Sequence, residues 1–222
     1  MSSDSEKSAT DAQSEEKSTP AEKPAPKPVA KKPEEKSTPA EKPAPKPVAK
    51  KPEEKPVELP AFEKGISDKI VEKFGDKVEV AFVKEDRVRI NVSRENILDV
   101  AEFIRDGLNF DHVESVTGVD FPQDKEIEVV YHIGSYSDSS LARQILVLAT
   151  RAQREENPIP GHDSTKLPTL RNIFYSVEFH EREIFEMLGV YFDGHPDNRR
   201  LLLPEDWADL PPLRKDFVLK GR

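Results

Sequence analysis

The sequence predicts an α+β domain, an antiparallel or mixed sheet with helices on one face, followed by an extended irregular C-terminal segment. Three observations predict it. Apolar periodicity runs in the order helix, two strands, helix, three strands, helix, without the regular strand–helix alternation of a doubly wound parallel fold. The first 60 residues hold 12 of the 20 prolines and almost no large apolar side chain, so one domain of about 160 residues remains, an ordinary size. Beyond Val190 the chain is rich in Pro, Arg and aromatic residues and has neither strand nor helix periodicity. The expected organisation is a Pro/Lys/Glu-rich tail at 1–59, the α+β domain at 60–190 and a docking tail at 191–222.

Residues 17–35 (KSTPAEKPAPKPVAKKPEE) recur unchanged at 36–54. Proline removes backbone donors and favours polyproline II, while lysine and glutamate stay solvated, so the repeat reads as a disordered or semi-rigid spacer. The sharper reading is a lysine-rich arm that reaches an acidic partner surface or lipid. Order is expected from Pro60. The spacing of Phe62, Ile66, Ile70, Val71 and Phe74 places them on one helical stripe. VEVAFVKEDRVRINVS alternates on both sides of Glu85–Asp86, the pattern of a hairpin with an acidic turn. Ile97, Val100, Ala101 and Ile104 then predict a helix over 96–107. HVESVTGVDF and EIEVVYHIGSYS read as strands. The run from Gln144 to Ala149 fits strand or helix and is taken as strand. A last helix is expected from about Ile173 to Leu188, with Gly189 as its left-handed cap.

Of the 34 basic and 43 acidic residues, 12 and 11 lie at or before Lys55, so the folded part carries 22 basic against 32 acidic groups. Such a domain repels phosphate backbones and anionic lipid headgroups; nucleic acid is excluded as a partner and proteins with basic patches are favoured. The chain has no cysteine, which excludes disulfides, thiolate-held iron–sulfur clusters, Cys-based zinc sites and thiol nucleophiles. No run of about 18 apolar residues occurs, and the amino terminus lacks a secretory pattern, so a location outside the bilayer, on the cytoplasmic side, is expected.

On the last helix Val177, Ile184 and Leu188 share a face, with Phe185 close by, and Glu181 falls inside it. A buried unpaired carboxylate costs several kcal/mol, so a basic or hydrogen-bond-donor partner is expected, with Arg199, Arg200 and Arg214 as candidates. Glu178, Arg182 and Glu186 are spaced four apart and would pair along the exposed side. Phe179 projects from the opposite side, where a protein interface is the natural use of a ring. Arg199, Arg200, Trp207, Leu213, Arg214 and Lys215 form the mixed anchor set of a docking surface.

Enzyme motifs fail on the same residues. His180–Glu181 opens a zinc-protease helix motif, but Ile184 stands where its second histidine belongs. His180 and His195 find no third ligand of convincing spacing. Gly134, Gly161 and Gly194 are isolated and form no phosphate loop, and Ser135, Ser137, Ser139 and Ser140 lack a nucleophile elbow. A free-standing hydrolase using His180, Glu181 and Glu183 is the competing reading from the enzyme class.

Glu181–Arg182–Glu183, Glu186, Met187–Leu188, His195, Arg199 and Leu201–Leu202 fill every slot of a family signature, and PLRKDF follows at Pro212 to Phe217. The chain resembles the respiratory complex I 30-kilodalton subunit family, which takes in members from NADH-quinone oxidoreductase and from related deazaflavin dehydrogenases. The likeness spans about three quarters of the chain and leaves out the repeat. It implies an α+β subunit of the peripheral arm of an ion-translocating quinone oxidoreductase, or of an energy-converting membrane hydrogenase. It also implies that this chain binds no cofactor, with flavin or deazaflavin, iron–sulfur clusters and quinone in partner subunits. The implied partners are the large hydrogenase-like arm subunit and a neighbouring iron–sulfur subunit, with the membrane reached only through the complex. No residue inherits a catalytic role; Glu181, Arg182, Glu183, His195, Arg199, Arg200, Trp207, Arg214 and Lys215 inherit structural and interface roles, beside Phe179.

Overall fold

The computed structural model describes residues 60–219; the proline–lysine repeat, with the spacer or arm expected of it, lies outside them. The elements are α1 (Ala61–Phe74), β1 (Val78–Lys84), β2 (Arg87–Val92), α2 (Ile97–Leu108), β3 (His112–Phe121) and β4 (Glu126–Gly134). They continue as β5 (Ile145–Gln153), β6 (Lys166–Pro168), α3 (Glu178–Leu188) and β7 (Tyr191–Asp193). Five strands form one sheet in the order β1-β2-β5-β4-β3. β2 and β5 run parallel and the other neighbours antiparallel, so the sheet is mixed, as expected.

Each local pattern has a place in this order. The hairpin turns at Glu85–Asp86, where Asp86 takes φ 61. β5 is the central strand, and Leu146 through Thr150 are all buried. A strand covered on both faces loses its alternation, which is why the run Gln144–Ala149 fitted two elements in sequence. α2 inserts Ile97, Val100, Ala101 and Ile104, each with no exposed surface, into the core formed by Ile90 of β2, Leu148 of β5 and Tyr131 of β4. α1 departs from its expected stripe. It buries Glu63, Ile66, Ser67 and Ile70 and leaves Phe62 and Val71 exposed. The rotation is set by Glu63, whose carboxylate accepts the Asp86 amide at 2.9 Å and Gln144 Nε2 at 2.8 Å, tying the helix to the hairpin turn.

α3 lies on the helix-bearing side of β3. Gly118 makes the approach possible: a Cβ there would stand 2.0 Å from Leu188 Cδ1 and 3.2 Å from Ile184 Cδ1. Gly118→Val is expected to cost about 1–3 kcal/mol by overpacking, read as a lower urea midpoint with unchanged slope. The helix starts at Glu178, five residues later than its periodicity suggested. Ile173 and Phe174 both donate to Leu170 O, Phe174 is extended at φ −124 and ψ 107, and a 3-10 turn over Tyr175–Val177 leads into α3. Its end is as expected, with Gly189 at φ 81 donating to Phe185 O. β6 and β7 pair in parallel through Lys166–Tyr191, Leu167–Phe192 and Pro168–Asp193. β7 takes only the first three residues of the segment expected to be extended and irregular. Three residues are too few to show alternation in a sequence.

Candidate functional site

Glu181 is fully buried, and among the described residues its hydrogen-bond partners are Tyr131, Thr169 and Leu170 rather than an arginine. Its Oε1 accepts Tyr131 Oη–H at 3.1 Å and the Leu170 amide at 2.9 Å, while Oε2 accepts the Thr169 hydroxyl. His195 Nε2 stands 4.0 Å from Oε2 but lies 3.0 Å from Glu178 O, and its Nδ1 accepts the Asp197 amide at 3.1 Å. The candidate partners Arg199, Arg200 and Arg214 are therefore replaced by neutral donors from β4 and the loop before α3. Burial pushes the carboxyl up to about 7, against the lowering effect of its three hydrogen bonds.

The outer side of α3 also departs from expectation. Arg182 ignores its helical neighbours and donates from Nε to Arg199 O and from Nη2 to Arg200 O, both at 3.0 Å, with Asp197 Oδ2 3.4 Å from Nη1. Glu178 pairs with Arg171 instead. Glu186 is buried, and its carboxylate accepts the amides of Leu201, Leu202 and Leu203 at 2.9–3.0 Å. A segment with no ladder of its own must satisfy its backbone elsewhere, and one side chain of α3 takes its carbonyls while another takes its amides. Arg199 folds over Asp197, which the Arg199 guanidinium holds well below the usual carboxylate range. Arg200 gives Nη1 to the carbonyls of Pro204 and Glu205 and Nη2 to that of Trp207.

Farther along, the segment is locked by charge. Asp120 of β3, almost fully buried, accepts Arg154 Nε at 2.6 Å and the Lys215 amide at 2.9 Å. Arg154 Nη2 also pairs with Asp216 at 2.8 Å. Arg214 is buried and donates from Nε to Leu188 O at 2.6 Å and from Nη1 to Glu155 O, a cation at the negative end of α3. Burial, and then the neighbouring Arg154, lower its pKa. Trp207 donates Nε1–H to Leu210 O and sits 6.0 Å from the Phe217 ring.

Among the ten residues singled out by sequence, Glu181, His195 and Arg214 are thus buried within the domain, and Arg182 and Arg200 brace the strap made by residues 195–217. Phe179, Glu183, Arg199 and Lys215 are exposed, and Trp207 is half-buried. His180, Glu181 and Glu183 do not converge: Glu181 points into the core and Glu183 to the surface. Sequence reasoning missed Tyr131, Thr169, Asp120, Arg154 and the role of Glu186. One of them left a signal. Asp120 stands in phase with the inward positions Val116 and Gly118 of β3, where an acid requires a buried partner.

Outward, α3 and its approach carry Tyr175 (73% exposed) and Phe179 (58%), with the Arg171 guanidinium 4.5 Å from the first ring and Arg182 5.9 Å from the second. Leu201, Leu202 and Leu213 of the strap are exposed as well. Residues 90–222, which include every residue of α3 and the strap, match the family described as Respiratory-chain NADH dehydrogenase, 30 Kd subunit. The chain belongs to this family.

The 30-kilodalton family member aligns at 33% identity with the C subunit of the F(420)H(2) dehydrogenase of Methanosarcina mazei, over 68% of this chain and 89% of that protein. It aligns at 34% identity with the C subunit of the NADH-quinone oxidoreductase of Chlorobium phaeobacteroides, over 69% of this chain and 87% of that one. Its fold matches a chain in the structure of the membrane-bound sulfane sulfur reductase, an archaeal respiratory membrane complex. The TM-score is 0.56 and the identity 29%, over 70% of this chain and 85% of that one. The chain is accordingly a member of a multi-subunit, complex I-like respiratory assembly. Among the described residues no helix is long and apolar enough to cross a membrane.

Proposed function

We propose that this subunit is a docking and assembly element without a cofactor of its own, in the peripheral arm of an ion-translocating NADH (or reduced deazaflavin):quinone oxidoreductase. It packs against the large hydrogenase-like subunit beside the quinone site and against a neighbouring iron–sulfur subunit, on the cytoplasmic side of the cell membrane. Flavin or deazaflavin, iron–sulfur clusters and quinone then belong to those partners. The observation that carries the reading is the division of labour on α3. Its Glu186 and Arg182 are spent on holding the strap, while the exposed surface of α3 and of its approach displays Phe179 and Tyr175. Rings and arginines at a surface are the usual anchors of protein interfaces.

Phe179→Ala and Arg199→Ala each remove an exposed group, so both are expected to weaken co-purification with the large arm subunit about tenfold. Their urea midpoints as isolated chains should shift little, since side chains at exposed sites contribute little to folding. Unchanged co-purification by both variants would sink the reading. Relatives from an F(420)H(2) dehydrogenase and from an NADH-quinone oxidoreductase match at similar identity and coverage, so the choice between reduced deazaflavin and NADH as donor rests with other subunits. Purifying the complex and identifying its electron-input subunit tests that choice.

A further inference from the structure

We propose that the groove between the loop at 157–160 and the strap at 207–211 receives an extended, basic segment of another subunit of the same assembly. The inference rests on the docking reading above and adds a second contact with its own chemistry. The groove encloses about 380 Å³. Phe185 and Gly189 of the α3 end form its floor, Pro158 and Ile159 one wall, and Trp207 and Pro211 the other. Ile159 in the lining is 61% exposed.

The walls are held in place before anything binds. A Cβ on Gly189 would lie 3.1 Å from Pro211 and 3.2 Å from Pro158, so the glycine lets the two prolines close on the helix end. Trp207 is fixed through its Nε1 bond to Leu210 O and through the bond from Arg200 to its own carbonyl. A preformed groove of this kind, lined by apolar and polar groups in about equal measure, takes a side chain at little ordering cost. A volume of this size suits an aliphatic or prolyl side chain of an extended strand.

Charge selects the occupant. Asp209 is itself in the lining, Glu156 precedes Asn157 on one wall, and Glu205 and Asp206 precede Trp207 on the other. Glu156, Glu205 and Asp206 are exposed. The basic residue of the lining, Arg200, is engaged with three carbonyls of the strap and braces the wall. Lysines or arginines on either side of the buried side chain would lie over this rim, whereas phosphates and acidic peptides are repelled by it.

The test uses the assembled complex. A photoreactive benzoylphenylalanine replaces Ala208, which is exposed on the groove wall, and irradiated complex is digested and read by mass spectrometry. The expected product joins position 208 to a stretch of another subunit that has lysine or arginine within a few residues. No product, a product with an acidic stretch, or one with a second copy of this chain overturns the proposal. In parallel, the double variant Glu205→Lys with Asp206→Lys should reduce co-purification about tenfold. If it has no effect while Phe179→Ala weakens association, the groove proposal fails and the docking reading stands; if both are silent, both fall.

Discussion

Asp120→Ala is expected to lower the unfolding free energy of the isolated chain by about 3–5 kcal/mol, among the largest effects of any single substitution here. Asp120 and Arg154 form a pair with side chains 1% and 6% exposed, and breaking such a pair leaves a guanidinium in the interior with only Asp216 to answer it. The Lys215 amide loses its acceptor in the same step. Two readouts follow. The urea midpoint falls, and the amides of Leu213 and Lys215 exchange faster than those of α2, because the strap end loses its anchor before the core does. Replacing both partners together, Asp120→Leu with Arg154→Met, should recover much of the loss, since no charge then remains to be desolvated. A loss below about 1 kcal/mol for Asp120→Ala would show that the pair does not anchor the strap.

Raising the pH from 4.5 to beyond 7 is expected to destabilise the chain by about 3 kcal/mol through Glu181 alone. The carboxyl has an ordinary value of 4.5 and is pushed up to about 7 in the fold by burial. Below 4.5 it is protonated in both states and carries no penalty. Between 4.5 and 7 the unfolded chain releases the proton and the folded chain keeps it, so stability falls with pH. Above 7 both states are ionised and the penalty is complete. The window is therefore 4.5 to 7, with the sign opposite to that of a salt-bridged carboxylate. Glu181→Gln keeps an acceptor for the Leu170 amide and cannot ionise, so its stability profile should lack this slope. The comparison is a pair of urea titrations at pH 5 and pH 8. Equal slopes for the wild type and Glu181→Gln would refute the assignment.

Physically, the two predictions concern the same architecture. Neutral hydroxyls from Tyr131 and Thr169 hold Glu181 on the inner side of α3, while Glu186 and Arg182 hold the strap on its outer side. A helix of 11 residues thus serves as a two-sided clamp. The remaining surface of α3 and its approach exposes Phe179 and Tyr175.

Periodicity was enough to find the elements because it is a local property: α2 and the strands β1 to β4 fall where their apolar spacing places them, and Gly189 caps α3 as its type suggests. It failed where a polar side chain replaced an apolar one in the packing, as at Glu63, whose tie to Asp86 turned α1 about its axis. It failed again at the start of α3, where the Leu170 amide and the Thr169 hydroxyl donate to Glu181 and Phe174 stays extended, leaving residues 173–177 outside the helix.

The candidate site divides along the same line. Its membership was legible in the chain, since Glu181, Arg182, Glu186, His195, Arg199 and the leucine pair stand at signature spacings. Their partners were not. Glu181 is answered by a hydroxyl 50 residues away, Asp120 by a guanidinium 34 residues away and an amide 95 residues away, and Glu186 by three backbone amides. The sequence by itself determined the α+β class and the family, and singled out the candidate residues. The tertiary structure decided which of them are buried braces and which face outward, because hydrogen bonds to hydroxyls and backbone groups depend on distances that folding creates and residue types do not encode.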